Sequence, residues 1–194
     1  MLFRSSSDAA AALRALGRRW RVGEARLRAI GASLGADVPY FFEGGTVLGV
    51  ERGDLLFPLI DRRAAWVVLV LPAFGISTKE AYGWFDADVA RAGRAFQASR
   101  PRSTALRHAQ GIPSVNDLQG PVAKRHPEIA RLVSALKRLG AGEAAMSGSG
   151  AAVFGLFDRR VQAVRAARTL GAAPRRAIVT RTVSRPAYRR LVGA

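Results

Sequence analysis

The sequence predicts an α+β protein in which helices stack on one antiparallel sheet. From residue 64 the pattern runs strand, short helix, long helix, strand, helix, strand. The run Trp66-Val67-Val68-Leu69-Val70-Leu71 is continuously apolar, as in a strand covered on both faces. His126-Pro127-Glu128 opens a helix with proline at its first position. Ile129, Leu132, Val133, Leu136 and Leu139 follow at helical spacing, and Gly140 stops it.

The remaining elements follow in order. Ser7 or Asp8 can cap a helix whose apolar stripe is Leu13, Leu16 and Trp20. Leu27, Ile30 and Leu34 repeat that spacing before Gly35. Residues 46–50 and 54–57 read as a hairpin turned at Glu51-Arg52-Gly53. Ala152–Phe157 and Ala177–Val183 are further strands. Between them, Asp158 caps a helix carrying Val161, Val164 and Leu170 and ending at Gly171. Arg91 to Pro113, rich in Arg, Ala and Ser, reads as a mobile connection. Two helices and one hairpin in residues 1–60 are too little for an independent core.

Composition narrows the function classes. The 194 residues are 49% apolar, with no segment near the roughly 18 apolar residues of a spanning helix. The chain has no cysteine, which excludes a disulfide framework and a thiol nucleophile. Only two histidines occur, His108 and His126, so neither a structural metal site nor a hydrolase triad is expected, and His126 reads as a helix cap. No basic segment followed by an apolar one opens the chain, so a cytoplasmic protein is expected. The net charge of +17 suggests a polyanionic partner. However, 28 of the 31 basic residues are arginines spread along the chain, beside abundant Ala and Gly. A GC-rich genome accounts for much of that excess, and the Arg-rich pieces fit solvated helix faces.

Three segments could carry chemistry. Ser5-Ser6-Ser7-Asp8 leads into a helix, whose N-terminus offers free N–H groups to phosphate; on these residues alone a plain cap is the commoner reading. Asp37, in Gly35-Ala36-Asp37-Val38-Pro39, follows a helix end. A carboxylate fixed there can take a proton from a hydroxyl, or simply occupy a turn. Met146-Ser147-Gly148-Ser149-Gly150 is a small-residue turn entering a strand, able to approach a ligand closely or to link strands tightly. It lacks the Gly-Lys-Ser/Thr of a Walker A loop.

Taken in order, Ser6–Ala10, Leu34–Pro39, Phe42-Glu43-Gly44-Gly45-Thr46, Asn116-Asp117-Leu118 and Met146–Gly150 resemble the 4-diphosphocytidyl-2-C-methyl-D-erythritol kinases of the GHMP kinase superfamily. The resemblance implies the GHMP kinase fold: part of an ATP-binding domain over residues 1–62 and an antiparallel-sheet C-terminal domain over 63–194. It implies ATP and Mg²⁺ as cofactors, and phosphorylation of a hydroxyl on a cytidine-diphosphate-linked sugar alcohol. Asp37 matches the catalytic aspartate. Ser5, Ser6 and Ser7 match the end of the ATP loop, and Ser147, Gly148, Ser149 and Gly150 the third motif, which supports that loop. Thr78 and Tyr82 fall where the family contacts its substrate, and Tyr82 could stack on cytosine. No protein metal site, membrane or nucleic-acid partner is implied.

The chain departs from the family at its start. The family's N-terminal lysine, its glycine loop and strands of its nucleotide-binding sheet precede the matched region, and Leu2-Phe3-Arg4-Ser5 stand at the join. An N-terminally truncated kinase of weak or absent activity, with apolar surface left bare, is the expectation. The alternative is an inactive nucleotide- or nucleic-acid-binding remnant.

Overall fold

The computed structural model describes residues 5–92 and 116–193. The expected connection over 91–113 lies almost wholly outside these residues, as do His108 and Leu2-Phe3-Arg4. The chain forms two compact units, residues 1–63 with 183–194, and residues 64–182.

The first unit holds helices α1 (Ser6–Trp20), α2 (Glu24–Leu34) and α3 (Tyr40–Glu43), then a hairpin of β1 (Val47–Val50) and β2 (Leu55–Pro58). The hairpin pairs Val47 with Pro58 and Val50 with Leu55. The cap of α1 is Ser5, two residues before the expected Ser7: its Oγ accepts from the Asp8 amide at 3.2 Å. Asp8 therefore sits inside the first turn, where the partial positive charge favours it.

The expected stripes face the core only through Leu13 and Leu27. Leu16, Trp20, Ile30 and Leu34 are exposed, whereas Ala10, Gly17, Leu27 and Gly31 are buried. Small residues win because the helices approach closely. A Cβ on Gly17 would collide with Leu27, and one on Gly31 would meet Val38 Cγ1 at 2.9 Å. The buried cluster is Ala10, Leu27, Val38 and Phe42.

The final helix, Arg185–Val192, packs with this unit although the sequence places residues 63–194 together. The reason is electrostatic and tertiary. Asp61 accepts from the amides of Thr46 at 2.8 Å and Arg185 at 2.6 Å. Glu43, 6% exposed, lies 3.1 Å from Arg28, 3.2 Å from Arg185 Nε and 3.4 Å from Arg189. A buried carboxylate needs such partners. Tyr188 donates to the Phe41 carbonyl at 2.7 Å, and its ring fills the space where a Cβ on Gly44 would stand.

In the second unit a four-stranded antiparallel sheet runs in the order β4 (Glu143–Met146), β5 (Val153–Phe157), β3 (Trp66–Leu71), β6 (Arg176–Arg181). Its helices are α4 (Thr78–Ala92), α5 (Gln119–Arg125), α6 (Pro127–Arg138) and α7 (Arg160–Leu170); the last helix of the chain, Arg185–Val192, is α8. The strand β4 and the length of α4 go beyond the sequence reading. Val68, Val70, Val153 and Phe157 are fully buried with Ile129, Leu132 and Leu136 of α6. Val67, Leu69, Phe154 and Leu156 alternate onto the other face and are only half-buried. The apolar run of β3 is thus covered fully on one face, not on both. Gly155 permits this packing: a Cβ there would meet Leu136 Cδ2 at 3.0 Å.

Two expected caps are corrected. Asp158 is exposed, and α7 is capped by Arg159 without a side-chain hydrogen bond. His126 does occupy the cap position of α6, but its ring makes no cap bond. It stacks on Phe74, 4.7 Å between centroids and 15° between planes, while its amide closes α5 through the Val122 carbonyl at 2.8 Å. An imidazole wedged against an aromatic ring cannot also reach back to the helix amides.

Candidate functional site

In the second unit the Ser147–Gly150 turn joins β4 to β5. The Ser147 amide donates to the Ala152 carbonyl at 2.8 Å, and the Gly150 amide to the Ser147 carbonyl at 3.0 Å. Gly148 and Gly150 have φ of +55° and +95°, the left-handed region that glycine adopts without a Cβ penalty. Gly150 is required twice, because a Cβ would stand 2.9 Å from Met146 Sδ. At Gly148 a Cβ would meet nothing within 4 Å, so this corner of the turn is open. Among the described residues, the amides of Gly148 and Ser149 donate to no hydrogen-bond partner. An open turn with free amides and flanking hydroxyls is suited to anionic oxygens.

Side chains from two other segments reach this turn. Asn116 Nδ2 donates to the carbonyls of Met146 at 2.9 Å and Gly148 at 2.7 Å. Gln119 Oε1 accepts from the Met146 amide at 2.7 Å. Thr78, at the start of α4, lies 3.2 Å from the Ser149 hydroxyl, Oγ1 to Oγ. Tyr82, one turn further along α4, is 54% exposed; residues four apart share a helix face.

Helix α4 begins in a reciprocal cap. Ser77 donates its amide and hydroxyl to Glu80 Oε2, at 3.2 and 2.7 Å, and the Glu80 amide returns a bond to Ser77 Oγ at 3.1 Å. The Ser77 hydroxyl holds the Glu80 carboxyl below its usual range. Ser77-Thr78-Lys79-Glu80 spells this box in the sequence. This local signal marks the start of α4 and with it the position of Thr78.

In the first unit, Asp37 is exposed on the turn between α2 and α3, with Val38 and Pro39 buried behind it. The Val38 amide bonds the Gly35 carbonyl and the Phe41 amide the Val38 carbonyl, both at 3.1 Å. Val38 is seated against Gly31, so a backbone anchored on both sides presents the carboxylate to solvent. Ser5 Oγ lies 2.7 Å from Ser7 Oγ and caps α1, which accounts for its hydroxyl locally. Gly31-Ala32-Ser33-Leu34-Gly35 spells Gly-x-Ser-x-Gly. It is no nucleophile elbow: Ser33 lies in α2 and its hydroxyl donates back to the Ile30 carbonyl at 2.7 Å. Among the described residues no group of three or more His, Asp or Glu could hold a metal ion, and no helix is long and apolar enough to cross a membrane.

Several arginines bond backbone carbonyls within the first unit, Arg14 and Arg185 while partly buried and Arg18 while solvated, as expected. Arg14 donates to the Phe41 and Phe42 carbonyls, both at 2.9 Å, Arg18 to the Val192 carbonyl at 2.9 Å, and Arg185 to the Thr46 carbonyl at 2.7 Å.

Residues 88–175 match the family described as GHMP kinases C terminal. The chain is 33% identical over 192 residues to 4-diphosphocytidyl-2-C-methyl-D-erythritol kinase of Shouchella clausii (strain KSM-K16), covering 87% of this chain and 63% of that one. It is 44% identical over 171 residues to the enzyme of that name from Anaeromyxobacter sp. (strain Fw109-5), covering 85% and 53%. A crystal structure of 4-(cytidine 5'-diphospho)-2C-methyl-D-erythritol kinase superposes with TM-score 0.70 and 32% identity, over 91% of this chain and 63% of that one. The chain has the fold of the GHMP kinases. Mevalonate kinase from L. major, in complex with R-mevalonate, shares the fold at TM-score 0.61 and 16% identity, over 94% of this chain and 66% of its own. The chain spans 53–63% of the length of these two curated relatives.

Proposed function

We propose that this chain takes part in ATP-dependent phosphorylation of a hydroxyl on 4-diphosphocytidyl-2-C-methyl-D-erythritol, a step in isoprenoid precursor synthesis. The observation that supports it most is the approach of Thr78 to Ser149 beside the open Ser147–Gly150 turn. In this reading the turn's amides and hydroxyls face the nucleotide phosphates, and Thr78 and Tyr82 meet the cytidine-bearing substrate. Stacking of a base on an aromatic side chain is worth about 1–3 kcal/mol, and the exposed Tyr82 ring is free to accept it. In the first unit Asp37 accepts the proton of the substrate hydroxyl, and the N-terminus of α1 with Ser6 and Ser7 offers amides and hydroxyls to phosphate. Phosphoryl transfer asks mainly for positioning and charge stabilisation. Magnesium enters with the nucleotide, as counter-ion to its phosphates.

Calorimetric titration of the purified chain with ATP and with cytidine diphosphate, at low and moderate salt, tests this reading. Binding selective for cytidine on the substrate side and nearly independent of salt is expected. Binding to any polyanion that collapses steeply with salt, the mark of counter-ion release, would overturn it.

A further inference from the structure

The turn does not hold its shape by its own hydrogen bonds alone. Two backbone bonds close it, while Gly148 and Gly150 leave it the most conformational freedom of any residue type. Beside the Thr78–Ser149 contact, further restraint comes from Asn116 and Gln119. Asn116 has one acceptor and one two-proton donor, and every partner around it fits a single amide orientation. Its Oδ1 accepts from the Leu118 amide at 3.0 Å while Nδ2 faces the carbonyls of Met146 and Gly148. Flipping the amide would set oxygen against two carbonyls. Gln119 holds the same strand end from the other polarity, its Oε1 on the Met146 amide. The segment carrying both is itself closed by the Gln119 amide on the Asn116 carbonyl at 2.9 Å.

We propose that Asn116 and Gln119 are positioning residues: they clamp Met146 and Gly148 so that the Gly148 and Ser149 amides stay presented to nucleotide phosphate. This rests on the functional reading above. The clamp acts on backbone atoms, so its two halves are chemically distinguishable. Asn116→Asp keeps the acceptor for Leu118 but removes both donors and sets a negative charge against two carbonyls. Gln119→Glu keeps the acceptor for Met146, and Gln119→Leu removes it.

The experiment titrates the full chain and these variants with ATP and magnesium. In parallel, amide hydrogen exchange is followed at Ser147 and Gly150, whose bonded amides close the turn. Asn116→Asp and Gln119→Leu are expected to weaken ATP binding about tenfold, the order for losing the hydrogen bonds that preorganise a site, and to speed exchange at both amides. Gln119→Glu should bind as the parent chain does. Leu136→Ala, which destabilises the same unit from its core, should leave ATP affinity unchanged below its unfolding range and so separates positioning from general stability. Unchanged affinity in Asn116→Asp and Gln119→Leu, with the parent chain binding ATP, overturns the clamp alone. Equal weakening in Leu136→Ala also overturns it, by reducing the effect to stability. A parent chain that binds no ATP overturns the functional reading and the positioning role with it.

Discussion

The Thr78 and Ser149 hydroxyls lie 3.2 Å apart, although 71 residues separate them in the chain. One begins a helix and the other sits in a glycine turn, so the contact ties the entrance of α4 to the β4–β5 turn. Both residues are partly solvated, and a single hydrogen bond between such groups contributes about 0.5–1.5 kcal/mol. Thr78→Val and Ser149→Ala should each leave the thermal midpoint nearly unchanged. A double-mutant cycle on ATP and cytidine diphosphate affinity should return a coupling within that same range of about 0.5–1.5 kcal/mol; strict additivity would place the two hydroxyls in separate roles.

The cap of α4 sets where Thr78 stands. Ser77→Ala removes the hydroxyl that receives the Glu80 amide, and losing such a cap costs about 0.5–2 kcal/mol. Faster amide exchange through Lys79 and Glu80, with a lowered denaturation midpoint, is the expected outcome. An unchanged exchange pattern would mean that packing of Ala81 and Trp84, not the cap, fixes the helix start.

The C-terminal helix answers to pH through Asp61. The Arg185 and Thr46 amides hold its carboxyl below the usual 3.8. A carboxylate so depressed contributes its stabilisation in full above 3.8 and loses it as pH falls through the lower, folded-state value. Exchange protection of residues 185–192 should therefore weaken only below about pH 4. Asp61→Asn should weaken it at neutral pH as well. Protection that falls near pH 6 instead would implicate another group.

Leu136 is fully buried between α6 and Gly155 of β5. Leu136→Ala should cost about 2–5 kcal/mol, read as a lower urea midpoint for the second unit. A cost under about 1 kcal/mol would mean that the helix relaxes into the gap.

Much of the second unit was legible because its signals are local. Pro127 and the spacing from Ile129 to Leu136 define α6, and the β3 run announces a central strand. The first unit misled at Leu16, Trp20, Ile30 and Leu34 because its helices meet through Gly17 and Gly31. Periodicity of large apolar residues does not register a contact made by absent side chains. The C-terminal helix was illegible for a related reason: its partners, Glu43 and Asp61, lie more than a hundred residues away in sequence. At the site, the turn stands out as a motif, whereas Thr78 enters only through the family resemblance. That Asn116 and Gln119 reach the turn backbone is a fact of tertiary packing, which no spacing rule contains.

Asp37 is proposed to receive the substrate proton during phosphoryl transfer. The most direct measurement follows transfer from γ-labelled ATP to 4-diphosphocytidyl-2-C-methyl-D-erythritol by the chain and by Asp37→Asn. Slow transfer by the parent chain is expected, reduced about 10²–10⁴-fold in the variant with ATP affinity retained. Transfer that Asp37→Asn leaves intact, or none by the parent chain, would contradict it.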